Sequence, residues 1–254
     1  SVNFTARKRW WRVPAALHAP AAGCLKDLNL TIDQGEFVAF LGASGCGKST
    51  ALRLIAGLSK PTTGSVDLHG ISSRDGDISY VFQEPTLMPW ATVYDNVYLP
   101  LRLKGESRQA ADERVRAALA TVNLTDFADV YPRQLSGGMK MRCSIARAMV
   151  TEPKLVLMDE PFAALDELTR FRLNDELLAL WDRFKWTVIF VTHSVFEATY
   201  LSSRTMVFSP RTSRIFGEVD IDTPYPRDPD LRTDTHFQAI TRRASDMLAA
   251  AQHA

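Results

Sequence analysis

The chain contains a nine-residue, glycine-rich segment whose residue types and spacing suit the binding of a phosphate chain. The apolar run 37–41 precedes it, and a helical pattern begins within it at Lys48. Glycines let consecutive backbone N–H groups turn toward an anion, and a helix N-terminus adds positive potential. Lys48 would reach the β- and γ-phosphates, and the Ser49 hydroxyl would hold Mg²⁺. The residues predicted to contact the phosphates are Gly42, Ala43, Ser44, Gly45, Cys46, Gly47, Lys48, Ser49 and Thr50.

Two carboxylates and a histidine follow two further apolar runs. Asp159 and Glu160 come directly after 155–158, and His193 comes directly after 187–192. Ligands of open α/β sheets bind at the carboxyl ends of strands, so these residues are expected near the phosphates. Asp159 would hold Mg²⁺, Glu160 would act as general base toward the attacking water, and His193 would contact the γ-phosphate or that water. The alternatives are a solvated acidic turn and a structural histidine.

A second glycine-containing turn, Ser136-Gly137-Gly138, stands before another helical pattern. Ser136 is a favoured N-cap residue, and a free helix N-terminus after two glycines is suited to an anion. Without context, an ordinary capped helix start is the simpler interpretation.

The elements that must position these residues alternate between short β-rich runs and helical patterns. Runs 155–158 and 188–191 are apolar without alternation, as expected for strands of a parallel sheet buried on both faces. This order predicts an α/β fold. Residues 85–150 are mostly helical, and prolines, Pro100 among them, punctuate their first half. The predicted strands are 36–41, 78–82, 155–158, 187–192, 206–209 and 215–221, and the predicted helices are 48–58, 109–122, 137–150, 167–184, 195–202 and 236–251.

The amino-acid composition of the chain limits which classes of protein it can belong to. The chain has 254 residues, of which 46% are hydrophobic, and a net charge of +1, so a sizeable core is expected without a global attraction to nucleic acid. The three cysteines include no C-x-x-C pair, which favours a reducing compartment. No apolar run has the length to span a bilayer, so a membrane role is expected to come through a partner.

Six motifs in this order resemble the nucleotide-binding subunit of an ABC transporter. The resemblance implies a P-loop NTPase (RecA-like) core with an ABC β-subdomain and an inserted helical subdomain. Within the single domain 1–254, the core would be 1–84 and 151–254, and the helical subdomain 85–150. The matching motifs are 42–50 (Walker A), Gln83 (Q-loop), Ser136-Gly137-Gly138 (signature motif), Asp159 and Glu160 (Walker B and catalytic glutamate), Ala164-Leu165-Asp166 (D-loop) and His193 (switch histidine).

The resemblance also implies roles and partners. Lys48, Glu160 and His193 would be catalytic, with ATP and Mg²⁺ as cofactors. Gln83 and Asp166 would contact the nucleotide, and Ser49, Gln83 and Asp159 would hold the metal ion. Two copies would form a head-to-tail homodimer in which the signature turn of one closes on the ATP of the other. The dimer would act on integral-membrane permease subunits at the cytoplasmic face of the inner membrane, and indirectly on a periplasmic-type solute-binding protein.

A narrower resemblance favours import. The segments 82–90, 160–170, 192–198 and 209–211 look like the nitrate, sulfonate and taurine branch of bacterial importers. In the family, the neighbourhood of Leu87-Met88-Pro89-Trp90 receives a short helix of the membrane subunit, so this loop is expected to contact the permease.

Three features depart from the family pattern or stay open. Met139 stands where the signature motif usually has glutamine. The aromatic residue that stacks on adenine is assigned to Trp10, with Trp11 and His18 as alternatives. Cys46 lies inside the phosphate loop and is expected to make the protein sensitive to thiol reagents.

Three other functions were weighed. An ABC ATPase acting on nucleic acid or ribosomes typically carries a long coiled coil or two cassettes, and this chain has neither, nor a basic stripe. A small-molecule P-loop kinase would leave the signature turn and His193 without roles. A non-catalytic ATP-binding scaffold would not need Glu160. The sequence therefore predicts an ATPase that drives a membrane importer and binds no nucleic acid.

Overall fold

The computed structural model describes residues 25, 28–72, 75–211 and 214–253. Within these ranges, six strands form one sheet in the order β2-β3-β4-β1-β5-β6. All neighbouring pairs are parallel except β5 and β6, which are antiparallel. The strands are β1 Phe37–Leu41, β2 Ile78–Val81, β3 Leu155–Asp159, β4 Thr187–Thr192, β5 Arg204–Phe208 and β6 Ile215–Asp220.

The register of the central strands brings the candidate residues to one edge of the sheet. Leu41 at the end of β1 pairs with Thr192 at the end of β4, and Asp159 at the end of β3 pairs with Val191. Because these strands run parallel, the segments that follow them leave the sheet side by side. The glycine-rich loop, Glu160 and His193 all begin there.

Helices cover both faces of the sheet. Side chains of β1 alternate between them: Phe37 packs in the core cluster that includes the helical residues Leu101 and Trp181. Val38 and Phe40 pack in the cluster that includes the helical residue Leu52. Strands buried on both faces explain the unbroken apolar runs in the sequence. The helices are α1 Lys48–Ile55, α2 Val93–Leu103, α3 Arg108–Thr121, α4 Gly137–Met149, α5 Glu167–Phe184, α6 Val195–Leu201 and α7 Thr235–His253.

Side-chain caps set where three site-bearing helices begin. Ser136, Asp166 and Ser194 each accept a hydrogen bond from the backbone N–H three residues ahead, at the starts of α4, α5 and α6. Capping by serine and aspartate satisfies N–H groups that have no partner inside the helix. The N-cap predicted for Ser136 is therefore present.

Pro100 differs from the sequence-based expectation, because it lies inside α2 and does not end it. Val93, Val97 and Leu101 on this helix are fully buried, and their packing outweighs the loss of one backbone hydrogen bond at proline. Outside the six-stranded sheet, Asp33 and Asp67 each form an isolated β-bridge. The boundaries proposed at 84/85 and 150/151 stay predictions.

No helix within the described ranges is long and apolar enough to cross a bilayer.

Candidate active site

The glycine-rich loop wraps around the ammonium group of Lys48. This side chain is buried, and its Nζ donates to the carbonyl oxygens of Gly42 at 2.8 Å and Ala43 at 2.9 Å. Gly47, the N-cap of α1, has φ 101°, and an added Cβ would lie 3.1 Å from Leu25 Cδ1. A side chain at this position would be strained and crowded, so the turn requires glycine. The loop thus holds one cation at the N-terminus of a helix.

Glu160 joins this cation to the histidine of the next strand. Its Oε1 lies 3.6 Å from Lys48 Nζ, and its Oε2 lies 2.8 Å from His193 Nδ1. The Glu160 side chain is largely buried, whereas that of His193 is half exposed. Three elements that are far apart in sequence therefore place their polar side chains in one group, as the sequence predicted for residues at this edge.

The Glu160 backbone has a left-handed conformation, with φ 47°. Residues with a Cβ adopt this region rarely, and they do so mostly where surrounding contacts enforce it. Here the Glu160 N–H donates to Val191 O at 3.0 Å. The turn aims the carboxylate back across the strand ends toward Lys48 and His193.

A hydroxyl and a carboxylate form an oxygen-rich position beside this group. Ser49 Oγ donates to Asp159 Oδ1 at 2.8 Å, and Tyr80 OH donates to Asp159 Oδ2 at 3.0 Å. Burial, reinforced by Asp159, raises the pKa of Tyr80, so its hydroxyl stays a donor. Such hard oxygen donors suit Mg²⁺, which is bound by one or two carboxylates together with phosphate and water. Among the described residues, no three His, Cys, Asp or Glu side chains are grouped so that they could hold a metal ion by themselves.

Other predicted residues lie apart from this group. Gln83, two residues after β2, is exposed, and no hydrogen bond among the described residues joins it to Ser49 or Asp159. Ser136 caps α4, accepting from Met139 N at 3.3 Å. In the same way, Asp166 Oδ1 accepts from Thr169 N at 2.9 Å, and that bond lowers the Asp166 pKa.

The signature turn lies against the D-loop of its own chain. An added Cβ at Gly137 would lie 3.1 Å from Leu165 Cδ2, so these two segments pack closely. Ser136 and Gly137 are exposed. Among the described residues, no hydrogen bond or ion pair joins Ser136 to Lys48 or to the rest of the phosphate loop.

Cys46 is fully buried in the loop, and burial raises its pKa despite the nearby Lys48 ammonium. This differs from the expected sensitivity to thiol reagents, because both access and thiolate formation are reduced. Met139 is partly buried against the core. Trp10, Trp11 and His18, the candidates for adenine stacking, lie outside the described residues.

Sequence reasoning missed several polar residues around the site. Tyr80, which donates a hydrogen bond to Asp159, lies on the predicted strand 78–82, but the sequence assigned it no role. Arg170 and Glu197 lie behind His193 and form an ion pair across two helices. Glu197, a charged residue in a mostly apolar helix, could have indicated a special role. Its partner Arg170 could not be predicted, because the packing of the two helices brings them together.

Comparisons with known proteins agree with this geometry. Residues 25–163 match the family described as ABC transporter. The chain is 44% identical over 202 residues to the nitrate import ATP-binding protein of Synechocystis sp., covering 79% of this chain and 76% of that protein. It is 41% identical over 221 residues to the aliphatic sulfonates import ATP-binding protein of Bacillus licheniformis, covering 86% and 84%. A dimeric ATP-binding cassette solved with ADP and Pi has a TM-score of 0.71 and 31% identity, covering 84% of this chain and 99% of that one.

Proposed function

This chain belongs to the ABC transporter family, whose ATP-binding subunits are ATPases coupled to transport, and from that premise we propose that it powers a bacterial importer. Its relatives include ATP-binding proteins for nitrate import and for aliphatic sulfonates import. Both solutes are small anions, and we infer a solute of that class. These relatives do not favour the alternative of an ABC ATPase that acts on nucleic acid or ribosomes.

The observation that carries the proposal is the contact of Glu160 with both Lys48 and His193 at the carboxyl ends of β1, β3 and β4. A cation, a carboxylate and an imidazole in one group are the parts needed to bind phosphates and orient a water. A purely structural ion pair would not need a glycine-rich loop around the cation. The group therefore supports nucleotide hydrolysis better than nucleotide storage.

We assign each residue of the group one task. Lys48 would release its two loop carbonyls and bind phosphate oxygens, since an ammonium prefers an anionic partner. Glu160 Oε2 would accept the proton of the attacking water, and His193 would hold that carboxylate in its position. Ser49 and Asp159, with Gln83, would hold Mg²⁺. The bound ion would neutralise the charge that develops on the phosphates.

The remaining motif residues are proposed to act across a dimer. Ser136, Gly137, Gly138 and Asp166 would contact the nucleotide held by the partner copy, because one chain leaves its signature turn exposed and away from Lys48. The solved dimeric cassette with ADP and Pi supports two such chains assembling around nucleotide. A turn with free N–H groups at a helix N-terminus suits a γ-phosphate.

We propose that the permease contacts the loop 85–90. Trp90 is 76% exposed, which is unusual for so large an apolar side chain. The loop beneath it is rigid, because Asn96 bonds both N–H and C=O of Met88, and Arg147 donates to the carbonyls of Pro85 and Thr86. A rigid loop with an exposed aromatic tip supports a protein contact, and it would place the chain at the cytoplasmic face of the membrane.

Replacement of the base tests the hydrolytic function. We expect Glu160→Gln to lower ATP turnover about 100-fold or more while ATP affinity is retained, because only the proton acceptor is lost. Phosphate release and nucleotide binding would be measured on the same preparation. Glu113→Gln, an exposed carboxylate on α3, is the matched control and should leave both unchanged. Undiminished turnover by Glu160→Gln would remove the assignment.

A further inference from the structure

Two charged residues behind the site, one buried and one partly buried, form an ion pair that joins α5 to α6. Arg170 Nε lies 3.8 Å from Glu197 Oε1. The Glu197 side chain is 6% exposed and that of Arg170 is 29% exposed. Burial raises the pKa of Glu197, and a carboxylate in such a position is costly unless a partner compensates it. A charged residue at this costly position indicates that Glu197 has a role beyond packing.

Arg170 connects this pair to the D-loop and, through it, to the signature turn. Its Nη2 donates to the carbonyl oxygen of Leu165 at 3.1 Å. Leu165 in turn packs against Gly137 of the signature turn. A displacement of the signature turn therefore reaches the Arg170 guanidinium through one side chain and one hydrogen bond.

Glu197 connects the pair to the catalytic histidine. Thr192 Oγ1 donates to Glu197 Oε2, and Thr192 Oγ1 itself accepts from Ser194 N at 2.9 Å. The Glu197 N–H donates to Ser194 Oγ at 3.3 Å. Thr192 and Ser194 flank His193, so the backbone on both sides of the histidine is fixed to Glu197.

The two facing atoms of the pair lie just beyond hydrogen-bond distance. At 3.8 Å the two facing atoms, Arg170 Nε and Glu197 Oε1, are beyond hydrogen-bond distance, and both are buried without another hydrogen-bond partner. An N–H···O bond requires about 2.7–3.2 Å. Directly beside them, the rings of Phe171 and Phe196 pack edge to face at 5.4 Å and hold the two helices together. A small shift of the D-loop can thus close the contact without separating the helices.

We propose that Arg170 and Glu197 are a positioning pair that reports the state of the signature turn to His193 and Glu160. This rests on the proposed function, in which that turn binds the nucleotide of the partner copy. When the turn is seated, Leu165 moves Arg170 toward Glu197, and Thr192 and Ser194 fix His193 for its contact with Glu160. Neither member of the pair touches the nucleotide, so the pair links one ATP site to the other.

A double-mutant cycle on the full chain tests this pair. The variants are Arg170→Met, Glu197→Gln and the double variant, with ATPase kcat, KM for ATP and the Hill coefficient for ATP as readouts. Glu197→Gln keeps the shape of the side chain and an oxygen for Thr192. Each single variant should lower kcat about 10- to 100-fold, the scale expected for a misplaced catalytic group, with KM little changed. The double variant should fall no further, and the Hill coefficient should drop toward one.

Controls separate positioning from folding. Arg183→Gln, an exposed arginine on the last turn of α5, should leave kcat and the Hill coefficient unchanged. The folded fraction of each variant is measured by thermal unfolding, and kcat is expressed per folded protein. The proposal is overturned by unchanged normalised kcat, by multiplicative losses in the double variant, or by an unchanged Hill coefficient. Glu160→Gln, measured in parallel, separates failure of this proposal from failure of the proposed function. If Glu160→Gln is inactive while the Arg170 and Glu197 variants are normal, only the positioning role of the pair is overturned.

Discussion

Glu160 combines an uncommon backbone conformation with contacts to a cation and a histidine. A left-handed φ at a residue with a Cβ costs about 1–3 kcal/mol, and such conformations persist where neighbouring contacts enforce them. The bonds to Val191 O and His193 Nδ1 supply that enforcement. The strain is local to the carboxylate that we assign as base, which agrees with the tendency of strained residues to lie at functional sites.

The burial of Cys46 leads to a prediction about its reactivity. Burial raises its pKa above the ordinary value of 9.0, so at pH 7.5 the thiol is overwhelmingly protonated and shielded. In a Cys24→Ser background, which removes the cysteine outside the described residues, Ellman's reagent should react slowly with the folded protein. Cys143, also buried and with its pKa raised to about 12, should behave alike.

Reaction in denaturant is the control for this thiol measurement, because both cysteines should then react quickly. A Cys46→Ser variant assigns any fast phase that remains. Rapid modification of Cys46 in the native protein would contradict the buried position of its side chain.

At the residue scale, the sequence predicted which polar residues would lie together at the carboxyl ends of the strands, and their roles stay predictions. Lys48, Asp159, Glu160 and His193 follow apolar runs, and parallel strands bring such positions together. It did not predict the positions that depend on contacts between distant segments. The Arg170–Glu197 pair is of this kind, since the packing of α5 on α6 creates it.

At the scale of elements, α6 is fixed at both ends, and this fixes His193, which precedes it. Ser194 caps its N-terminus. At the other end the buried guanidinium of Arg227 donates to the carbonyls of Thr199, Tyr200 and Ser202. The segment 224–230 therefore reaches into the interior with the Arg227 side chain.

Removal of that guanidinium should destabilise the fold. Arg227→Met keeps the aliphatic stem but leaves the carbonyl groups at the end of α6 without donors, at an expected cost of about 2–4 kcal/mol. Urea unfolding measures this loss as a lower midpoint. Arg243→Met removes one exposed arginine that bonds Asp220 O, and it should cost less than about 0.5 kcal/mol. Equal midpoints for the two variants would contradict the structural importance of Arg227.

Element prediction succeeded where composition, caps and length agreed. The helix 167–184 and the strand 187–192 have the predicted bounds, the helix because Asp166 caps its start and Lys185 ends it in a left-handed conformation. The predicted strand 206–209 is shifted, since β5 spans Arg204–Phe208. Local pattern does not report sheet pairing, and Arg204 enters the strand through its register with β1 and β6.

At the scale of the whole molecule, one chain carries one phosphate loop and one signature turn, and no hydrogen bond or ion pair among the described residues joins them. Leu168, two residues after the D-loop, is 78% exposed, and Ser136 and Gly137 are exposed as well. An exposed apolar side chain of this size is suited to a protein contact. Sequence spacing contains no information on such an assembly, so the dimer was inferred only from the resemblance to a family.

The central claim is that each ATP lies between Lys48 of one copy and the signature turn of the other. The most direct measurement is a structure of the Glu160→Gln variant trapped with ATP and Mg²⁺. We predict a dimer in which Ser136 Oγ of each copy lies about 2.5–3.0 Å from a γ-phosphate oxygen bound at Lys48 of the opposite copy. An ATP-bound structure in which Ser136 faces solvent, or contacts the phosphate bound to its own chain, would contradict the account.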